Sequence, residues 1–301
     1  MCQSCAYPGL WNTEVECKKM TKMFAEEKLL LIAFIFTTFN SNTNVLVGSV
    51  KLLDRSQNVV DDMYKGCREE AMETVIQSGL LRRELNKSVE FQKAWNANTQ
   101  CSFIIPGGIK EHTAALSAYY SGDKQFTKEF NSQVETMGEN FTTYKNNFHF
   151  KSLHFLLMDA LILLKPRQCK TGYAIVDDLQ IPKLGSAVRL AGFTIVDTDT
   201  DLTDLEDSTV LKINSCYFIN LEENICKKNI GQMLLSPTEV FTVEDVGRKI
   251  TDDADYEEVV LKHSSLTSRH NCYIISRAEA VTSAHMLVPL IMVYSLFSVT
   301  L

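Results

Sequence analysis

Apolar residues recur at spacings of three and four over 148–164, where Leu153, Leu156, Leu157, Ala160, Leu161 and Leu164 fall on one stripe. That period predicts a buried helix, and Lys151, His154 and Asp159 interrupt the run too often for a membrane span. Pro166 stops it. Upstream, the same spacing predicts helices over 69–81, 82–97 and 111–120, the last following the Pro106-Gly-Gly turn, and Phe126, Phe130 and Val134 carry it further before Gly138 ends it. Downstream the pattern changes to short β-branched runs at 172–176, 187–190, 193–196, 209–216, 232–235, 239–243, 257–261 and 272–275. Runs of that length and spacing predict a mostly antiparallel sheet or sandwich. The expected fold is α+β: a helical N-terminal half packed on a mostly antiparallel β-sandwich C-terminal half, with the 148–164 helix between them.

The chain ends carry two further apolar runs. The first, 29–39, is too short to span a bilayer and follows Lys18, Lys19, Lys22 and Lys28, which fits a secretory signal peptide. Met20 and Met23 are alternative starts, and a buried core helix is the competing reading. The second, 286–301, is apolar to the last residue with no basic flank after it, as in a cleaved glycolipid-anchor signal; a plain transmembrane tail is the alternative. The organisation read from these signals is a leader and signal peptide over 1–45, one domain over 46–278 and an anchor signal over 279–301. Secretion would place the protein on the extracellular face of the plasma membrane or release it. Removal of the leader leaves Cys67, Cys101, Cys169, Cys216, Cys226 and Cys272, an even set without metal spacing, so disulfides are expected and no metal. Asn86-Lys-Ser and Asn140-Phe-Thr are glycosylation acceptors in that compartment.

Composition adds mainly exclusions. Across 301 residues, 45% hydrophobic and 22% charged, the formal net charge is −7. Without clustered Lys and Arg there is no surface for phosphate neutralisation, so no nucleic-acid partner is expected. No glycine-rich phosphate loop is present: Pro106-Gly-Gly and Gly172 stand alone and read as turns.

Several local patterns together resemble the vertebrate ecto-mono-ADP-ribosyltransferases, which move ADP-ribose from NAD to protein arginine. They are Val60-Asp-Asp-Met-Tyr-Lys-Gly-Cys67, Glu111-His112, Ala115-Leu-Ser-Ala-Tyr-Tyr120, Phe148-His-Phe-Lys-Ser-Leu-His-Phe-Leu-Leu157 with Ala160-Leu161, and Asn271-Cys272. The resemblance implies an ADP-ribosyltransferase-like fold, NAD as co-substrate, a lipid anchor and two bridges, Cys67 to Cys272 and Cys169 to Cys216. Cys101 and Cys226 are left either to pair with each other or to stay as thiols.

The family's activity rests on an Arg, a Ser and a Glu-x-Glu pair. Cleavage of the nicotinamide bond builds an oxocarbenium-like ribose, which a carboxylate stabilises; the Arg forks onto the cofactor's anionic groups and the Ser orients the ribose. Carried onto this chain, those positions hold Ala174, Ile195, Ile230 and Gln232, so none of the four groups is kept. Asp197, Glu222 and Glu223 nearby read as solvated loop carboxylates, Glu239 as a structural carry-over, and His112, His149 and His154 as helix-packing residues. Two functions are therefore expected to compete: a cell-surface binding protein on the family scaffold with little or no transferase activity, and an active transferase using non-standard residues.

Overall fold

The computed structural model of the chain describes residues 52–53, 58–97, 101–166, 168–176, 179–199, 205–226, 231–252 and 254–275. The expected signal run, the apolar tail and Ile230 lie outside the described residues.

The helical half consists of α1 Arg68–Met72, which runs into a π-helical turn Glu73–Gln77, then α2 Leu80–Lys87, α3 Val89–Asn96, α4 Lys110–Ser121, α5 Lys124–Thr136, α6 Phe141–Asn147 and α7 Lys151–Leu163. Two expected helices are each broken. The 69–81 run ends at Gly79, whose φ of +70° suits a residue without Cβ. The 82–97 run divides at Ser88, which is extended and whose hydroxyl accepts the Phe91 N–H at 3.1 Å, capping α3. Asp123 and Asn140 cap α5 and α6 in the same way, through the N–H groups of Phe126 and Thr143.

Helix α7 is the central element that the apolar period predicts, and every residue from Ser152 to Leu161 is buried. It starts at Lys151 rather than 148: the preceding residues are a lead-in whose Phe150 ring packs edge-on against Phe91, Phe126 and Phe130 at 5.7–5.9 Å. His149 in that lead-in is exposed, so it does not pack a helix. Nothing in the lead-in caps α7. Glu84 of α2 does so instead: Oε1 accepts the Lys151 N–H at 3.0 Å and Oε2 the Ser152 N–H at 2.9 Å.

Burial pushes the Glu84 carboxyl up to about 7, against the hydrogen bonds from Ser152 and Lys151. A folded-state value above the unfolded one means stability that is fully present below the ordinary carboxylate range and lost as pH rises through about 7. Glu84→Ala should cost about 1–3 kcal/mol by orphaning two N–H groups. It should also flatten the decline in stability between pH 5 and pH 8, and urea unfolding at both pH values measures each effect.

The strands are β1 Leu52–Leu53, β2 Lys170–Val176, β3 Ala187–Leu190, β4 Thr194–Asp197, β5 Glu206–Ser215, β6 Phe218–Asn220, β7 Gln232–Leu235, β8 Glu239–Ile250 and β9 Asp255–Leu266, with a short helix α8 Leu221–Asn224 after β6. They form one ladder in the order β1-β3-β8-β9-β5-β2-β4-β7-β6, antiparallel except between β5 and β9. A single residue pair, Tyr173 opposite Asp197, joins β2 to β4. There the ladder divides into two leaves, which share a cluster that includes Val188, Leu211, Phe241 and Leu261 from one and Val196, Phe218, Met233 and Leu235 from the other. The helices cover the opposite face of the smaller leaf, where Ile219 and Leu234 join their core. This is an α+β fold with a helical half on a strand sandwich.

Residues 272–275, read from sequence as a strand, form a turn. Cys272 has a φ of +68° and the Asp62 carboxylate accepts the Tyr273 N–H at 3.0 Å, so this backbone bonds a side chain instead of a strand. Three disulfides are closed: Cys67–Cys272, Cys169–Cys216 and Cys101–Cys226.

Candidate functional site

Strand β4 is held from the helical side. The Phe193 carbonyl before it accepts the Tyr119 hydroxyl at 2.5 Å and the Asn131 amide at 2.9 Å, while Asn131 Oδ1 accepts the Phe193 N–H at 3.1 Å. Gly192 permits this clasp, since a Cβ there would lie 2.5 Å from Asn131 Oδ1. Strand β7 then pairs with β4, Ile195 opposite Leu234 and Asp197 opposite Gln232. At the open end of that pair the Gly231 carbonyl accepts both the N–H and the hydroxyl of Thr198, at 2.7 and 2.8 Å.

Gly172 is not a turn residue. It lies buried within β2, where a Cβ would sit 2.5 Å from Val196 Cγ2 and 2.7 Å from Met233 Cε, so its lack of side chain lets β2 close onto β4 and β7. Alternation along β2 places Tyr173 on the other face, opposite Asp197.

The positions singled out by the family resemblance separate on this frame. Ile195 packs against the helical core, and Gln232 lies on the same face of the leaf, two residues from Leu234. Ala174 packs against the strand cluster, on the opposite face. Asp197 is a strand residue rather than a loop carboxylate: it ends β4 half-buried, and its Oδ1 accepts the Gln232 amide N–H at 2.8 Å. Tyr120, at the end of α4, stands within the field of that carboxylate; burial first and Asp197 second push its hydroxyl above the ordinary tyrosine value. In the sequence Tyr120 stood out only as part of the family resemblance and Tyr173 was given no role, although its place one residue from Ala174 was a signal.

The remaining candidates have other partners. Glu223 is exposed on α8 and accepts the Asn220 amide at 2.7 Å, and Glu222 lies beside it. Glu239 is buried and accepts from the Ser215 hydroxyl at 2.6 Å, the Cys216 N–H at 3.0 Å and His263 Nδ1 at 2.7 Å, fastening β8 to the corner after β5. Its carboxyl is pushed up by burial, with these donors opposing. His112 accepts the Ile109 N–H on Nδ1 and donates from Nε2 to Asp159 at 2.8 Å. His154 donates to the Val60 carbonyl at 2.9 Å and accepts the Tyr64 hydroxyl at 2.8 Å, and burial pushes its pKa down to about 4. Among the described residues no group of three His, Cys, Asp or Glu side chains is placed to hold a metal ion.

A model of the NAD:arginine ADP-ribosyltransferase family matches residues 53–269. Ecto-ADP-ribosyltransferase 5 of Mus musculus is 30% identical over 230 residues, 70% of this chain and 72% of that protein. The GPI-linked NAD(P)(+)–arginine ADP-ribosyltransferase 1 of Oryctolagus cuniculus is 26% identical over 250 residues, 75% of each chain. Among solved structures, the eucaryotic mono-ADP-ribosyltransferase ART2.2 superimposes with a TM-score of 0.54 at 25% identity, covering 73% of this chain and 97% of that one. A mutant of the same enzyme was crystallised with NADH. The match spans the helical half and the strand sandwich alike, and on it the chain belongs to the NAD:arginine ADP-ribosyltransferase family.

Proposed function

We propose that this chain keeps the family scaffold without arginine-transferase activity and acts as a binding protein on the outer face of the plasma membrane. One observation carries the reading: the amide of Gln232, at the position the resemblance gives to the catalytic Glu, is bound to Asp197. An amide cannot supply the negative charge that the ribosyl cation needs. The dinucleotide also fits poorly, since a pyrophosphate requires cationic or donor groups and these positions hold Ala174, Ile195, Ile230 and Gln232, with the Asp197 carboxylate beside the last. Removing one preorganised group typically slows a reaction by about a hundred- to a thousandfold, and groups that act as a unit are not replaced one at a time. Incubation of the purified protein with labelled NAD and a polyarginine acceptor should label nothing above background. Labelling at a rate comparable with an intact family member overturns this reading.

A second reading keeps activity through Asp197, whose carboxylate lies one hydrogen bond from Gln232. It requires NAD turnover that Asp197→Asn abolishes and Glu223→Gln does not.

The surface location rests on the apolar ends of the chain and on the name of the rabbit relative as GPI-linked. Asn86 and Asn140 are exposed, as glycosylation acceptors must be. Phosphatidylinositol-specific phospholipase should release the protein from expressing cells; full retention would favour a transmembrane tail.

A further inference from the structure

Tyr173, Asp197 and Gln232 stand opposite one another on three neighbouring strands. Directly opposed residues leave the same face of a sheet about 5 Å apart, so the three make a continuous row. All are half-buried, and Tyr120 approaches from the helical side. Gln232 uses its amide N–H on Asp197 Oδ1, which leaves its own carbonyl and the second carboxylate oxygen as acceptors. No described Lys, Arg or His forms an ion pair with Asp197. A half-buried carboxylate that no described cation pairs with, flanked by an amide carbonyl and two phenol rings, is complementary to a positive group.

We propose that the Tyr173–Asp197–Gln232 row binds a primary alkylammonium group, as on a lysine side chain or a small amine, without any dinucleotide. The ammonium places three donors around one point charge, matching acceptors that come from separate strands, and its alkyl stem lies along the tyrosine rings. The inference rests on the reading that this site has lost its dinucleotide chemistry.

The test is calorimetric titration of the full chain, purified from secreting or phospholipase-treated cells, with butylammonium, methylguanidinium, butanol and NAD. Butylammonium should bind and butanol should not. Asp197→Asn should weaken butylammonium about ten- to a hundredfold, as loss of a charged hydrogen bond does, and Gln232→Leu about fivefold, with unfolding curves showing both variants folded. Absence of butylammonium binding, or equal affinity in Asp197→Asn, overturns the site. Tighter binding of methylguanidinium overturns the choice of ammonium. Binding of NAD with butylammonium binding intact would sink the functional reading and leave the cation site standing.

Discussion

Asp159→Ala should lower the unfolding free energy by about 2–4 kcal/mol, somewhat below the usual cost of breaking a buried ion pair because the Arg68 side chain is partly in solvent. Asp159 lies buried on α7, where Oδ2 accepts His112 Nε2 from α4 at 2.8 Å. Arg68 from α1 forks onto both oxygens at 2.5 and 2.9 Å. Burial alone would push this carboxyl up, yet the hydrogen bonds from His112 and Arg68 outweigh it and hold it below the ordinary carboxylate range. The sign follows: a depressed folded-state value gives stability that is present above the unfolded pKa and lost as pH falls through the folded one. In the alanine variant the Arg68 fork is left without its acceptor and three helices lose their common pin. Urea unfolding at pH 7 measures the loss, and a change under about 1 kcal/mol would show the network to be incidental. Asp159→Asn should be milder, because the amide oxygen still accepts from one partner.

This network was half legible in the sequence. Periodicity placed Asp159 on a helix and marked it as an interruption of an apolar run, which argued against a membrane span, but periodicity cannot say what lies across from a residue. The same limit applies elsewhere. The 148–164 run gave the central helix because ten consecutive residues, Ser152 to Leu161, are buried. It overshot the start because α7 is capped from another element, by Glu84, with sixty-odd residues of intervening sequence. The expected helix over 82–97 failed at Ser88 for a local reason, since apolar spacing continues across it while the hydroxyl competes for the Phe91 N–H.

Strands β2, β3, β4, β5, β7, β8 and β9 were legible as β-branched runs, whereas β1 and β6 were not and the run at 272–275 is a turn; the pairing was not legible at all. Nothing in the sequence marks β5 and β9 as parallel, or shows that the ladder narrows to Tyr173 and Asp197. That joint decides the site. Strand alternation puts Ala174 and Tyr173 on opposite faces, so carrying a family position across by spacing alone identified the residue and not the direction of its side chain. Asp197 looked like a solvated loop carboxylate beside the position of the family Ser. Its role depends on register with β7, which only the folded ladder displays.

Restoring the carboxylate at the family position should therefore harm the protein before it helps catalysis. In Gln232→Glu the new carboxylate replaces an amide that donates to Asp197 at 2.8 Å, and a favourable hydrogen bond becomes a like-charge contact. Two unit charges about 4 Å apart, the separation the repelled carboxylates would relax to, repel by about 4 kcal/mol at the effective dielectric of a protein surface, and partial exposure reduces the expected cost to about 1–3 kcal/mol. The pair shares a proton, so its folded-state titration is raised above the unfolded one. The loss is then full at pH 8 and recovered as pH falls toward 5. Asp197→Asn with Gln232→Glu should remove both the loss and its pH dependence, since an amide again faces a carboxylate. Neither variant should gain arginine transfer, because Ile195 remains apolar and Ala174 faces the strand cluster. Adding Ala174→Arg would aim a guanidinium toward the side occupied by Val196 and Met233, away from Gln232. Urea unfolding at pH 8 and pH 5, with labelled-NAD incubation of each variant, reads every arm. Gln232→Glu as stable as the parent chain at pH 8, or transferring ADP-ribose on its own, would show that Asp197 does not face this position in solution.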